Sequence, residues 1–183
     1  MPNKVNFGLE NVYYAKATDN GSGTLTYATP VAIKGAVDLN LDQSGDMTPW
    51  YADNGIFFTS VANNGYTGTL EIANLPDSFY IDILGEQTDT DGAIYETADV
   101  EPAEFALLYE VKGDAEKIRR VFYRCKAQRP ADTAHTTEAS TTPTTVTLNI
   151  TAMPVIANNV VKARCRETDT CYATWFSAVH VIA

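Results

Sequence analysis

Long apolar runs are missing from this chain. Residues 105–109 (FALLY) are among the longest, far short of the roughly 20 residues that a membrane-spanning helix needs. The amino-terminal MPNKVNFGLENVYY has one lysine and no apolar region behind it, so no signal peptide is expected and the protein is expected to stay in a cytoplasm. Histidine is scarce, with only His135 and His180. A hydrolytic triad needs a nucleophile, a base and an orienting acid. Here His135 lies in a threonine-rich stretch, His180 in an expected terminal strand, and no nucleophile occupies a strand–turn–helix elbow, so no catalysis is expected. The three cysteines, Cys125, Cys165 and Cys171, form no CxxC pair. In a reducing compartment they are expected to be free thiols acting as small hydrophobes. Cys165 and Cys171 could still bridge, because they flank an expected turn at residues 166–170.

Positive charge is also short. Thirteen basic residues face 23 acidic ones, for a net charge of −10 and an isoelectric point near 4.5. Such a surface does not attract nucleic acid on average. Ligand motifs are broken. Residues 87–98 (QTDTDGAIYETA) imitate a calcium loop through Asp89, Asp91 and Gly92, but Gln87 and Ala98 stand where the first and the bidentate carboxylates are required. Gly21-Ser22-Gly23 lacks the lysine and helix of a phosphate loop. The Asn149-Ile150-Thr151 glycosylation triplet lies in an expected strand of a chain with no secretory signal. No metal and no cofactor are expected.

What is present is an alternation of period two. In residues 31–41, Val31, Ile33, Gly35, Val37, Leu39 and Leu41 alternate with a mainly polar set that includes Lys34, Asp38 and Asn40, which predicts one long strand. Gly35 within it predicts a bulge or a close backbone approach. Further strands are expected near residues 25–27, 56–60, 66–72, 93–97, 104–111, 118–126, 146–151, 160–164 and 172–179, with loop or turn over 43–55. One short helix follows Pro76, with Leu75, Phe79 and Ile83 on its apolar stripe and Gly85 as its stop. The fold class is therefore mainly β, a sandwich or barrel with one flanking helix. The 45% hydrophobic content supplies a core for one domain over residues 1–183. An amino-terminal arm is expected at about 1–15, a loop at about 43–53 and a threonine-rich loop at about 133–145. The two loops are expected to be ordered only on assembly.

Charge is unevenly placed. Lys117, Arg119, Arg120, Arg124, Lys126 and Arg129 put six of the 13 basic residues into 13 positions without an acid. By strict alternation Arg120, Phe122, Arg124 and Lys126 share one strand face, opposite Arg119, Val121, Tyr123 and Cys125. That face is either a solvated surface or a docking surface for an acidic neighbour.

Several segments stand in a familiar order: Phe7-Gly8-Leu9-Glu10-Asn11-Val12-Tyr13-Tyr14-Ala15, Pro30-Val31-Ala32-Ile33-Lys34-Gly35-Ala36, Tyr51-Ala52-Asp53-Asn54, the strand–helix unit ending Ile83-Leu84-Gly85, Phe105-Ala106-Leu107-Leu108-Tyr109-Glu110, Thr142-Pro143-Thr144-Thr145 with residues 148–154, and Trp175-Phe176. Together they resemble the major tail protein of long-tailed bacteriophages (siphophages). The resemblance implies a tail tube subunit without an added immunoglobulin-like domain. It implies hexameric rings that stack head to tail, a continuous inner barrel, and a bore that holds the tape measure protein and later passes viral DNA without binding it specifically. Tail initiator and terminator proteins would be further partners. The protein would reside in the virion tail after assembly in the host bacterial cytoplasm, with no membrane contact. An acidic bore would repel the phosphate backbone, and Asp38, Asp42, Glu71 and Glu110, on polar strand faces, are its candidate lining. Arg120, Phe122, Arg124 and Lys126 are the candidate subunit interface. A different class stays open: a virion β-sandwich that binds host surface or carbohydrate through Trp50-Tyr51.

Overall fold

The computed structural model describes residues 7–113, 117–134, 136 and 144–182. His135 and most of the threonine-rich loop lie outside the described residues, as does the start of the expected arm. From Leu9 onward that segment is sheet. β1 (Leu9–Asp19) pairs with β2 (Leu25–Tyr27) and β3 (Val31–Ile33) along one edge, and with β10 (Phe105–Val111) along the other. The sheet continues antiparallel from β10 through β11 (Arg119–Ala127), β12 (Val146–Met153) and β7 (Tyr66–Ile72) to β4 (Ala36–Gln43), and β13 (Lys162–Cys165) adds to β11 beyond the end of β12. The protein is mainly β, with one large antiparallel sheet and one short helix.

The strand expected over 31–41 is broken in two. β3 pairs with β1 while β4 pairs with β7, so the chain leaves one end of the sheet and joins the other. Gly35 makes the corner at φ +83°, and a Cβ there would lie 3.0 Å from that of Ala73. The alternation itself breaks just past the corner: Ala36 packs on the first core, Val37 is exposed, and a bulge between Ala36 and Asp38 returns Leu39 and Leu41 to the core side. Val37 is as apolar as its neighbours, so the sequence pattern does not reveal the break.

Two apolar cores result. One joins Val12, Tyr14, Ile33, Leu70, Ile72, Phe105, Leu107, Phe122, Leu148 and Ile150 to the helix α1 (Asp77–Asp82) and its flanks Leu75, Ile83 and Leu84. Pro76 is the residue before the first turn, in extended conformation, one step earlier than its expected place inside the helix. The other core joins Ala106, Leu108, Val121, Tyr123, Val155, Cys165, Trp175 and Val179. β10 lies between them and is buried from Phe105 to Glu110. The carboxyl-terminal part that covers the second core is a run of turns over residues 167–178, not the strand expected at 172–179. Cys165 and Cys171 are joined in a disulfide across the turn, which corrects the expectation of free thiols, while Cys125 is free and buried.

Residues 43–53 also depart from expectation. The loop expected there is sheet. β5 (Met47–Ala52) and β6 (Gly55–Val61) form a hairpin that extends the β4–β7 pair, with Asp53 and Asn54 at positive φ in its two-residue turn. Ser44 and Gly65 close its neck through Ser44 N–H to Gly65 O at 2.8 Å. Two further short strands, β8 (Gln87–Thr88) and β9 (Ile94–Tyr95), form a small hairpin where the calcium-like sequence lies. There Asp89 accepts backbone N–H bonds from Asp91 and Ala93 and so shapes the turn itself.

Candidate functional site: an assembly surface

Alternation places the polar residues of β4, β7 and β12 on the side away from the first core. The register lines them up in rows: Asp38 beside Glu71 and Thr147, Asn40 beside Thr69 and Asn149, and Asp42 beside Thr67 and Thr151. Lys126 of β11 extends the last row. Thr145 Oγ1 donates to Glu71 Oε1 at 2.5 Å. Three of the four acidic residues singled out from sequence thus share one face. Glu110 does not join them. It is 7% exposed in β10 and accepts from Asn11 Nδ2 at 3.1 Å, Arg119 Nε at 3.1 Å and Tyr172 Oη at 3.3 Å. A carboxylate with those partners is structural and cannot line an open bore. The face it shares with Ala106 and Leu108 looked like an outer face because the second core that covers it comes from distant sequence.

The basic strand is likewise rearranged. Opposite β10, Cys125 aligns with Phe105 but Phe122 aligns with Leu107, so β11 carries one extra residue. Phe122 and Cys125 therefore enter the same core, three positions apart. Beyond the bulge the faces are exchanged: Arg120 and Phe122 share one side, and Arg124 and Lys126 share the other. The single cationic face expected from strict alternation does not exist.

Most of these cations are answered within the chain. Arg124 donates through Nε at 2.8 Å and Nη2 at 2.7 Å to the two oxygens of Glu104. Those hydrogen bonds raise the basicity of Arg124 further. Arg119 reaches Glu110 and stacks 3.6 Å over the Tyr172 ring. Lys126 lies 3.7 Å from Glu101, and Arg129 2.6 Å from Glu96. Glu101 and Glu96 lie in the irregular stretch before β10, whose position periodicity does not predict.

The third region is the β5–β6 hairpin, every residue of which is exposed except Ala52. Met47, Trp50, Tyr51, Ile56, Phe57, Phe58 and Val61 have fractional exposures between 59% for Trp50 and 71% for Phe57. Trp50 and Phe57 meet edge to face at 5.8 Å, but neither touches the body's cores. A two-stranded ribbon is marginal by itself, and an apolar patch this large marks an interaction site. β4 has no further strand on its outer edge among the described residues, and an open edge is a template for pairing.

Among the described residues, one group has metal-ligand composition: Cys165, Asp169 and Cys171. Its sulfurs are bonded to each other, and Asp169 Oδ2 accepts from Arg166 N–H at 2.8 Å. It offers no thiolate pair.

An open sheet edge, a polar sheet face and a projecting apolar ribbon define a structural β subunit made to be joined to others. The chain belongs to the phage tail tube protein family, whose family model matches residues 15–175. No curated protein matches it.

Proposed function

We propose that this tail tube protein polymerises as stacked hexameric rings into the tail tube of a siphophage, the conduit through which DNA is ejected. The observation that carries this reading is the apolar β5–β6 hairpin, which is too exposed to be at rest in a monomer. It would bury its two faces on neighbouring copies, while the free edge of β4 would continue the sheet of the next subunit. The Asp38–Asp42–Glu71 face would then line the bore and keep phosphates from sticking. The tape measure protein would fill that bore during assembly, and initiator and terminator proteins would cap its ends. Assembly would take place in the host cytoplasm, without a cofactor and without catalysis.

Negative-stain microscopy of concentrated protein in chelator, with the disulfide intact, tests this. Rings or tubes of uniform bore are expected, and a strictly monomeric species, even with tail initiator components, contradicts it. The alternative, a module for host surface or carbohydrate, would use the same Trp50 and Tyr51, and retention of the isolated protein on host cell wall would favour it.

A further inference from the structure

Arg119, Arg124, Lys126 and Arg129 have carboxylate partners in their own chain, but three cations beside them do not. β11 and β13 pair so that Arg120 lies across from Arg164 and Phe122 across from Lys162. With Tyr109 and Ala163 these residues line a groove of about 300 Å³ that no carboxylate enters. Among the described residues, none of Arg120, Lys162 and Arg164 forms an ion pair. Arg120 Nε is buried with no hydrogen-bond partner among those residues. Lys162 has only neutral company: it donates to Tyr66 Oη at 2.6 Å and lies 4.2 Å from the centre of that ring. Three like charges on two paired strands repel one another unless an anion sits among them.

We propose that this groove is a socket for a carboxylate-bearing segment of a second copy of the chain, docked head to tail. The inference rests on the tube reading and names one contact within it. The occupant follows from how charge is divided along the sequence. Residues 35–111 contain no lysine or arginine and fifteen acidic residues, while ten of the thirteen basic residues follow them. Asp53, Asp89 and Asp91 of that acidic stretch are exposed and lie apart from the Asp38–Asp42–Glu71 face. One molecule thus presents a cationic groove and separate anionic surfaces, the arrangement a heterologous contact uses to propagate rings or filaments. Guanidinium groups in the groove suit two-point recognition of a carboxylate. Duplex DNA, the competing anion, would have to approach a body of net charge −10.

The test uses the full chain, with Lys162→Gln and Arg164→Gln together as the first variant. Both side chains are exposed, so the fold is retained. Arg120→Gln is the second variant, checked by its unfolding curve. Tubes of the wild type are counted by microscopy, and Lys162 is followed by zero-length carbodiimide cross-linking between isotopically distinct copies. Cross-links from Lys162 to carboxylates within residues 35–111 of another copy are expected. The first variant should need about tenfold more protein to form tubes, and should lose most of the wild type's salt sensitivity. Normal tubes from both variants overturn the socket and leave the tube reading intact. Intermolecular Lys162 cross-links without tubes overturn the tube reading and leave the socket. Wild-type copies that never associate overturn both. Binding of a short DNA duplex to wild-type tubes that is lost in the first variant assigns the groove to phosphate and overturns the socket.

Discussion

At Arg124 the chain commits both ends of a guanidinium fork to Glu104, with each side chain about one-fifth exposed. Removing the carboxylate leaves a largely buried cation unpaired, so Glu104→Gln should cost about 2 kcal/mol in a urea titration. Arg124→Glu, which sets two carboxylates together, should cost more. Tyr123 offers a pH test. Burial pushes its phenol up to about 12, and burial also raises Tyr27 and the Cys125 thiol. In the unfolded chain these groups ionise near about 10, 10 and 8.5. Below those values their contribution to stability is complete. As pH rises, the unfolded chain loses protons that the folded chain keeps, so stability should fall progressively between about pH 9 and 12. Tyr123→Phe loses the 2.7 Å bond to the His180 carbonyl. It should cost about 1 kcal/mol at pH 7, and at pH 11 the difference should vanish because one ionising group is gone. Denaturant curves at the two pH values check the sign. Sequence had marked Arg124 as an interface cation and Glu110 as an exposed acid. Both inferences assumed unbroken alternation, and a bulge in one strand and a second core over the other defeat it.

Strands whose two faces differ were easy to read in advance, among them β7 and β12, as was the helix with its buried Phe79. Elements that depend on remote contacts were not. The corner at Gly35, the β5–β6 ribbon and the turn-rich cover over the second core each need partners that no local pattern announces. The cover gives a prediction. Its disulfide closes a loop of about seven residues, so Cys171→Ser should cost about 2 kcal/mol. Hydrogen exchange should then rise over residues 166–179 while β7 and β12 stay protected. A second prediction concerns the β4–β7 pair. Gly68 sits where a Cβ would overlap the Asn40 carbonyl of the neighbouring strand. Gly68→Val should therefore push β4 away and cost about 2–3 kcal/mol, read as a lowered unfolding midpoint and early exchange in β4.

For the assembled particle, the useful contrast is between stability and association. Trp50, Phe57 and Phe58 touch neither core, so replacing all three by Ser should change monomer stability by no more than about 0.5 kcal/mol. The same change should abolish tubes in the microscope. If tubes persist, the hairpin is not a subunit contact. The family was legible from sequence because it rests on the order of many short segments. The proposed docking surfaces were less so: Trp50 and Tyr51 were visible as aromatics in a supposed loop, whereas Lys162 and Arg164 gave no signal until β13 came to lie against β11.

The narrow neck of that hairpin has a consequence of another kind. β4 and β7 are direct neighbours, and Ser44 and Gly65 are bonded at the point where the ribbon leaves them. Everything from residue 46 to residue 62 is a side branch whose removal leaves the sheet's register untouched. A tight two-residue turn grafted at the neck should give a chain that folds and stays single. Conversely, foreign peptides inserted at Asp53-Asn54 should be carried without disturbing the body. The branch can in the same way be lengthened, shortened or re-clothed independently of the sheet, so that the apolar surface the chain presents can change while its fold stays as it is.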